Sequence, residues 1–256
     1  MPPKLLSTVR NLSHRKGRRR RKLAVLEGTR LVEEALQSGL QFRGVLVRED
    51  VSSNRVGGLL EELSRYAVPV DYLAPNVFDK AAATESPQGV IAVVEHPSWT
   101  LAAVEPKRSA PVLVLDAVQD PGNVGTLVRT AYSLGAVGVL LLDGTADLLN
   151  PKVLRAAMGA TFKIPIVSLG MGELKMFVEE KDVTVWVGAP LGTNVRRLNP
   201  PERLALVMGN ETAGTRPQVD ALAESRVSIP LARGAESLNV AVAAGVLLYE
   251  LGVGAR

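Results

Sequence analysis

The chain has 256 residues, of which 46% are hydrophobic and 22% charged, so it can form well-buried cores and wholesale disorder is not expected. It has no cysteine, which excludes disulfides, thiolate zinc sites and thiol nucleophiles. No apolar run approaches the roughly 18 residues of a membrane span, and no apolar segment of a secretory signal follows the positive N-terminus, so a cytoplasmic protein is expected.

The net charge is only +4, but positive charge is concentrated near the N-terminus. Seven of the eight residues from Arg15 to Lys22 are Arg or Lys, and Arg10 lies just upstream. One interpretation of residues 1–22 is a solvated, partly mobile basic arm. The other is an arm that contacts phosphates, in which each neutralised phosphate releases a counterion and adds salt-dependent affinity. The concentration at one end of a nearly balanced chain favours the second interpretation.

Apolar strand patterns and helical patterns alternate in the first part of the chain, which predicts a mixed or parallel sheet covered by helices. Strands are expected at residues 23–26, 42–47, 68–73 and 89–94. Helices are expected from about residue 30 to Gly39 and at residues 58–66 and 78–83. Three prolines between Pro97 and Pro111 indicate an interdomain linker at 98–111, between a domain at 23–97 and a second domain at 112–256.

The second domain begins with Val112 to Leu115, a continuous apolar run that is typical of a parallel strand buried on both faces. Strands are expected at residues 112–115, 137–142, 163–167, 183–187, 204–208 and 226–229. Helices are expected at residues 124–134, 152–158, 171–180 and 238–251. This pattern predicts an α/β domain with a mostly parallel sheet, whose ligands bind at the carboxyl ends of the strands.

Three loops at predicted strand ends share an unusual composition. They are Asp120 to Arg129, Gly209 to Gly214 and Pro230 to Asn239, and each combines Gly, Asn and a charged or hydroxyl group. Each loop has an ordinary structural explanation when it is considered alone. Asn123 could cap a helix after a Pro-Gly turn, and Arg129 could form a surface salt bridge. Three such loops in one sheet favour a shared site.

Together the loops resemble the motifs of the SpoU (TrmH) family of RNA 2′-O-ribose methyltransferases, of the SPOUT superfamily. For the first motif, Asn-x-Gly-x-x-x-Arg, the matching residues are Asn123, Gly125 and Arg129. For the second, Gly-Asn-Glu-x-x-Gly, they are Gly209, Asn210, Glu211 and Gly214. For the third, Ile-Pro followed by Ser-Leu-Asn-Val, they are Ile229, Pro230, Ser237, Leu238, Asn239 and Val240. The resemblance covers about residues 112–251.

The N-terminal part resembles the substrate-binding domain of the same family, through Leu26-Glu-Gly28 and Ser86-Pro-Gln-Gly89. Three positions depart from the family pattern. Leu231 replaces the usual Met, Thr215 replaces an aliphatic residue, and Arg233 replaces Gly. Arg233 is the change that could alter the cofactor loop or supply an extra phosphate contact.

The resemblance implies a fold as well as an activity. It implies a C-terminal SPOUT-type domain with a parallel sheet and a trefoil knot, and a smaller N-terminal α/β (L30e-like) substrate-binding domain. It implies the cofactor S-adenosylmethionine, held by Gly209, Ile229 and Leu238, and a homodimer. No membrane is expected because no apolar run is long enough, and no metal is expected because His14 and His96 are isolated and are expected at the surface.

The resemblance also implies the roles of five catalytic residues: Asn123, Arg129, Glu211, Ser237 and Asn239. Arg129 would grip a phosphate and stabilise the developing alkoxide, since a guanidinium is a poor base. Asn123 and Asn239 would orient the loop and the ribose, while Glu211 would hold Arg129 or Asn123. Ser237 would form a hydrogen bond near the sugar or the cofactor.

The expected reaction is transfer of a methyl group from S-adenosylmethionine to a ribose 2′-hydroxyl of RNA. The two-domain layout favours 23S ribosomal RNA over transfer RNA. One alternative is a non-catalytic RNA-binding or ribosome-assembly protein on the same fold. A dinucleotide-binding oxidoreductase is disfavoured, because Gly122-Asn-Val-Gly125 lacks the G-x-G-x-x-G pattern.

Overall fold

The structure is a computed structural model that describes residues 4–108 and 110–252, except for the side chains of Arg19 and Arg20. The chain divides into two compact units. Unit 1 consists of Met1–Pro97 together with Asp147–Phe162, and unit 2 consists of Ser98–Ala146 together with Lys163–Arg256.

Strands and helices largely alternate along the chain. The strands are β1 (Leu23–Glu27), β2 (Phe42–Arg48), β3 (Val70–Leu73), β4 (Val90–Glu95), β5 (Val112–Asp116), β6 (Gly138–Leu142), β7 (Ile166–Leu169), β8 (Thr184–Asn194), β9 (Leu204–Gly209) and β10 (Ser225–Ser228). The helices are α1 (Lys4–Leu12), α2 (Arg15–Arg21), α3 (Thr29–Gln37), α4 (Asn54–Arg65), α5 (Pro75–Asp79), α6 (Pro121–Ser133), α7 (Pro151–Ala157), α8 (Met171–Glu180), α9 (Pro217–Asp220) and α10 (Val240–Glu250). Within the described residues, short 3₁₀ turns lie at Leu101–Ala103, Ala160–Phe162 and Val195–Arg197.

Unit 1 contains a mixed four-stranded sheet in the order β1-β4-β2-β3. The β1–β4 and β4–β2 pairs are antiparallel, and the β2–β3 pair is parallel. Successive side chains of a strand point to opposite faces. Thus Ala24 and Leu26 of β1 join one core with α3, α4 and Leu154 of α7, while Val25 joins a second core on the other face. Both faces of the sheet are therefore covered.

The segment interpreted as a basic arm contains two helices within the described residues. Leu6, Val9 and Leu12 of α1 are buried in the second core of unit 1, where all four strands of the sheet and α5 supply the other buried apolar side chains. Arg18 of α2 is 5% exposed, and its guanidinium forms a salt bridge of 2.7 Å to Asp147. The same guanidinium donates to the Leu12 and Ser13 carbonyls.

Unit 2 contains a six-stranded sheet in the order β10-β8-β9-β5-β6-β7, in which every neighbouring pair is parallel. Strands β5, β6 and β9 are buried along their whole length, as the continuous apolar runs predicted. The central pair β5–β9 ends with Asp116 opposite Gly209. The loops that follow these strands therefore start side by side at the carboxyl edge.

Several element bounds differ from the sequence prediction, for local reasons. Helix α6 begins at Pro121 rather than at residue 124, because the Asp120 carboxylate accepts a hydrogen bond from the Asn123 amide and proline is accepted in a first helical turn. Strand β7 begins at Ile166 rather than at residue 163, after a 3₁₀ turn at residues 160–162. Helix α5 begins at Pro75, where its first turn holds the proline. Within the described ranges, no helix is long and apolar enough to cross a membrane.

Candidate active site

The three loops singled out in the sequence meet at the carboxyl edge of the sheet of unit 2. Asp120 and Asn123 follow β5, Glu211 follows β9, and Asn239 precedes α10. The β5–β9 pairing brings the first two loops together. Because ligands of parallel α/β sheets bind at this edge, the meeting point is the expected position of a site.

Glu211 joins the loop after β9 to the loop after β5. Its carboxylate accepts hydrogen bonds from the backbone amides of Gln119 and Asp120, at 3.2 and 3.1 Å. It also accepts one from the side-chain amide of Asn123, at 3.0 Å. Glu211 therefore holds Asn123, which is one of the two partners expected for it.

A chain of hydrogen bonds continues from Asn123 to the last helix. The Asn123 Oδ1 atom accepts from the Asn239 side-chain amide at 2.9 Å. The Asn239 Oδ1 atom in turn accepts from the backbone amides of Ala241 and Val242, in the first turn of α10. A carboxylate can only accept and a backbone N–H can only donate, so the two ends fix the orientation of both amides between them. The three loops thus form one oriented network.

The protonation state of Glu211 follows from these contacts. Partial burial is the largest single influence and disfavours the charged carboxylate. The hydrogen bonds from Asn123, from Glu211's own backbone amide and from Gln119 and Asp120 together outweigh it, so the pKa of the carboxyl lies below its ordinary value of 4.5. Glu211 is therefore an ionised acceptor at neutral pH.

The loop after β9 is closed tightly on itself. The Asn210 side chain accepts from the backbone amides of Thr212 and Ala213, and it donates to the Ala117 carbonyl at 2.9 Å. A Cβ atom added to Gly209 would lie 2.4 Å from the Gly214 carbonyl carbon. Glycine is therefore required at 209 by the approach of the neighbouring backbone, whatever else it contacts.

A buried ion pair next to the network was not anticipated from the sequence. Asp116, at the end of β5, is fully buried. It accepts from the backbone amide of Arg216 at 2.7 Å and from the Arg216 guanidinium at 2.6 Å. This pair fixes the end of the 210–216 loop to β5. The two residues lie 100 positions apart in the sequence, and nothing local marks them as partners.

A cavity of about 630 Å³ opens beside the network, within unit 2. The three residues expected to contact the cofactor, Gly209, Ile229 and Leu238, all line it. Three of the expected catalytic residues also line it: Glu211, Ser237 and Asn239. Its volume lies within the roughly 300–1,000 Å³ of small-molecule sites.

The chemistry of the cavity wall suits an adenosine carrying a charged tail. Met208, Ile229 and Leu247 supply apolar surface for an aromatic base, and polar groups of Ser237 and Asn239 lie at its margin. The residues present therefore fit S-adenosylmethionine in both size and chemistry.

Arg129 is the expected catalytic residue that the structure does not join to the others. It lies on α6 and is exposed. Its guanidinium forms no hydrogen bond or ion pair with any part of the chain that the structure describes, and it lies outside the cavity lining. Glu211 is thus not its partner, and Arg129 is open to an external ligand.

The three residues that depart from the family pattern differ in exposure and in what they contact. Arg233 is exposed and adopts a left-handed φ of 59°, a conformation that favours glycine, immediately before Gly234 at φ 70°. The Thr215 hydroxyl donates to Asp220 at 2.6 Å. Leu231 and Thr215 line the cavity, while Arg233 does not.

The two N-terminal segments that resemble the substrate-binding domain meet at the start of α3. The Gln88 side chain accepts from the backbone amide of Thr29 at 3.2 Å, next to Gly28 at φ 99°. The buried Glu27 carboxylate accepts from the backbone amide of Ala83 at 2.7 Å. These contacts hold the loop before β4 against the end of β1.

The histidines were expected at the surface, and this is wrong for His96. His14 is exposed, but His96 is buried against Phe162, with ring centroids 6.0 Å apart, and its Nδ1 atom lies 2.8 Å from the Pro97 carbonyl oxygen. Burial lowers the pKa of His96, and the contact with the Pro97 carbonyl only partly opposes this. In the described part of the chain, no three His, Asp or Glu side chains are grouped as a metal site.

A parallel sheet with a ligand cavity and polar loops at its carboxyl edge is typical of α/β enzymes that bind nucleotide-like cofactors. Residues 110–249 match the SpoU rRNA Methylase family, and residues 25–100 match the family described as RNA 2′-O ribose methyltransferase substrate binding. The chain belongs to the SpoU family, as its three motifs indicated.

Known proteins resemble the chain over nearly its whole length. The 23S rRNA (guanosine(2553)-2′-O)-methyltransferase RlmP of Bacillus subtilis is 36% identical over 94% of this chain and 93% of its own. The crystal structure of an AdoMet-bound rRNA methyltransferase from Sinorhizobium meliloti has a TM-score of 0.85 at 28% identity, covering 98% of this chain and 95% of its own. The SpoU methyltransferase AviRb from Streptomyces viridochromogenes, in complex with AdoMet, has a TM-score of 0.87 at 28% identity, covering 98% and 97%. The expected SPOUT fold is thereby confirmed.

Proposed function

We propose that the protein transfers a methyl group from S-adenosylmethionine to a ribose 2′-hydroxyl of RNA, with ribosomal RNA favoured over transfer RNA. The observation that carries the proposal is the hydrogen-bonded chain from Glu211 through Asn123 to Asn239, beside a cavity of about 630 Å³ that fits the cofactor. Ribosomal RNA is favoured because the Bacillus subtilis relative is named as a 23S rRNA methyltransferase and the Sinorhizobium meliloti structure as an rRNA methyltransferase.

The cofactor would lie against Gly209, Ile229 and Leu238 and supply an electrophilic methyl group on sulfur. The amide network then positions the loops around the acceptor hydroxyl. Alignment of reacting groups can contribute on the order of 7–11 kcal/mol in favourable cases. Ser237 is exposed and lines the cavity, which supports a hydrogen bond from its hydroxyl to the ribose or to the cofactor.

Arg129 supplies the positive charge that stabilises the developing alkoxide. A guanidinium does not act as a base, but its fork of donors matches a phosphate and can stabilise a developing alkoxide. Its lack of a partner within the described chain leaves it available for the RNA backbone. In this scheme Glu211 is a positioning residue, because its carboxylate is taken up by Gln119, Asp120 and Asn123.

The basic helix α2 is proposed as part of the RNA-binding surface. Arg15, Lys16, Arg21 and Lys22 are exposed, whereas Arg18 is buried in its contact with Asp147. Replacing the four exposed cations by Gln should weaken RNA binding. It should also reduce the slope of log affinity against log salt by about 0.7–0.9 for each phosphate that is no longer neutralised.

A homodimer is proposed from the outer face of α10. Ala241, Ala244 and Leu248 are buried on the inner face, while Val242 is 54% exposed and Tyr249 is 70% exposed on the other side. An apolar stripe of this kind is typical of an interface. Val242→Asp should shift the sedimentation behaviour from dimer to monomer. We further propose the family's trefoil knot in unit 2 and a cytoplasmic location, where RNA substrates are available.

The proposal is tested with labelled S-adenosylmethionine and separate pools of unmodified ribosomal and transfer RNA, followed by nucleoside analysis. Label in a 2′-O-methylnucleoside of the ribosomal pool is the expected result. Arg129→Ala should abolish transfer while cofactor binding is retained. The control is Arg203→Ala, which removes an exposed cation next to the amino end of β9, at the opposite edge of the sheet.

One result would contradict this function, and a second would contradict only the role proposed for Arg129. Intact cofactor and RNA binding without transfer to any RNA pool would indicate the non-catalytic RNA-binding alternative. Normal transfer by Arg129→Ala would remove that residue from the chemistry, although the reaction itself would stand.

A further inference from the structure

A polar cluster of Thr215, Asp220 and Arg226 lines the cofactor cavity and lies between the second and third family motifs in the sequence. The Asp220 carboxylate accepts from the Thr215 hydroxyl at 2.6 Å, and its other oxygen pairs with the Arg226 guanidinium. All three residues line the cavity. Arg226 lies on β10 and its side chain is 52% exposed, so part of its guanidinium remains open to a ligand.

We propose that Arg226, held by Asp220 and Thr215, binds the carboxylate of the amino-acid tail of S-adenosylmethionine. This inference rests on the proposed function. It concerns a subsite formed by residues outside the motifs that define the family, and it adds a specificity determinant for the cofactor.

The charges of the cavity support this assignment. Among its described lining residues, the charged side chains are Glu211, Asp220 and Arg226. Glu211 is occupied by its backbone and amide donors, which leaves Arg226 as the cation and Asp220 as its companion anion. The tail of the cofactor carries one carboxylate and one ammonium group. A guanidinium next to a carboxylate is complementary to that pair of charges.

The geometry also explains how Arg226 is held in place. Asp220 ends the short helix α9, and the Thr215 hydroxyl directs one of its carboxylate oxygens. The backbone carbonyl of Arg226 lies so close to Gly192 that a Cβ atom at 192 would approach it to 2.5 Å. Thr215 replaces an aliphatic residue of the family pattern, and an aliphatic side chain could not make this hydrogen bond. The cluster therefore depends on Thr215, a position at which this chain departs from the family pattern.

The test compares ligands that differ only in the tail, by isothermal titration calorimetry of the full chain. S-adenosylhomocysteine and 5′-methylthioadenosine are both uncharged at sulfur, but only the first carries the amino-acid group. In Arg226→Gln, we expect affinity for S-adenosylhomocysteine to fall about tenfold or more, as for removal of a charge-assisted hydrogen bond. Affinity for 5′-methylthioadenosine should change less than about twofold.

A ligand without the carboxylate and a control variant test the assignment further. Decarboxylated S-adenosylmethionine lacks the carboxylate but keeps the ammonium, so its affinity should not depend on Arg226. Arg108→Gln is the matched control variant, since it removes an exposed arginine paired with Glu202 in the same unit. It should leave both affinities unchanged.

The outcomes separate the two proposals. If the unmodified protein binds neither adenosine ligand, the proposed function fails and the subsite fails with it. If it binds both, and Arg226→Gln weakens them equally or not at all, the subsite assignment is overturned while the methyltransferase function stands.

Discussion

Asn123→Asp should place a second carboxylate directly against Glu211. The Asn123 amide nitrogen lies 3.0 Å from a Glu211 oxygen, and aspartate would put an oxygen in its position. The side chain keeps its shape but loses a donor and gains a charge. Its other oxygen can still accept from Asn239, so the change acts mainly on one link of the network.

The expected cost follows from that distance. Two unit charges 3.0 Å apart repel by about 1.4 kcal/mol in bulk water and by about 5.5 kcal/mol at an effective dielectric constant of ~20. Glu211 is exposed and Asn123 half-buried, which favours the lower part of this range. We expect the free energy of unfolding of unit 2 to fall by about 2–3 kcal/mol at pH 7.

The pKa values of the two carboxyl groups determine how the stability of the variant changes with pH. In the unmodified protein the lowered pKa of Glu211 contributes stability above the ordinary value of 4.5, and this stability disappears as the pH falls through the lower folded value. In Asn123→Asp the two carboxylates raise the pKa of the folded pair above its unfolded value. The variant therefore recovers stability relative to the unmodified protein as the pH is lowered from 7 towards 5.

Urea unfolding followed by tryptophan fluorescence is the measurement, because Trp99 and Trp186 both belong to unit 2. Asn194→Asp is the matched control, since Asn194 only accepts a hydrogen bond from the Arg196 amide and aspartate can do the same. Its effect should stay within about 0.5 kcal/mol. Equal stability of the two variants at pH 7, or a gap that widens in acid, would refute the reasoning.

Three further substitutions, two of them paired with a control variant, test separate parts of the structure. Gly209→Ala should cost about 3 kcal/mol or abolish folding of unit 2, because its Cβ atom would lie 2.4 Å from backbone. Gly172→Ala, where a Cβ atom meets nothing within 4 Å, should instead stabilise by about 0.4–1 kcal/mol in the same fluorescence assay. Asp116→Ala should cost about 2–4 kcal/mol by that assay, since it leaves the Arg216 guanidinium unpaired, and a decrease below about 1 kcal/mol would contradict this account. Arg18→Ala should destabilise unit 1 by about 2–4 kcal/mol in urea unfolding followed by circular dichroism, whereas Arg15→Ala should lower only RNA affinity. Equal stability of these last two variants would contradict the buried role of the first.

The parallel sheet and the position of the site could be predicted because their signals are local. A run such as Val112 to Leu115 is apolar at every position, which distinguishes a doubly covered strand from a half-exposed one. The polar loops follow such runs directly, so their convergence required only that the strands be parallel. The helix of residues 171–180 was likewise predicted with its observed bounds.

Side-chain partnerships could not be predicted, because they depend on which strands become neighbours. The sequence left two possible partners for the Glu211 carboxylate, Arg129 and Asn123. The pairing of β5 with β9 brings the loop of Asn123 next to Glu211, and Asn123 is the observed partner. Gly209 was expected to contact the cofactor, but the atoms that a Cβ atom at 209 would meet first belong to the 214–215 backbone. A tight loop and a ligand both exclude a Cβ atom, and a sequence cannot distinguish the two causes.

The basic segment shows that composition also cannot predict which side chains form buried contacts. Each arginine of the run contributes equally to a count of charge, so neither interpretation of the segment could separate one arginine from another. In the structure the guanidinium of Arg18 is satisfied by Asp147 and by two carbonyls at the end of α1. Asp147 lies 129 residues further along the chain, in the segment Asp147–Phe162 that also belongs to unit 1. One arginine therefore fixes the helix, and the exposed cations beside it lie on a folded surface rather than on a loose tail. This order bears on the RNA contact proposed for α2. Ordering before binding reduces the entropy that RNA binding must overcome.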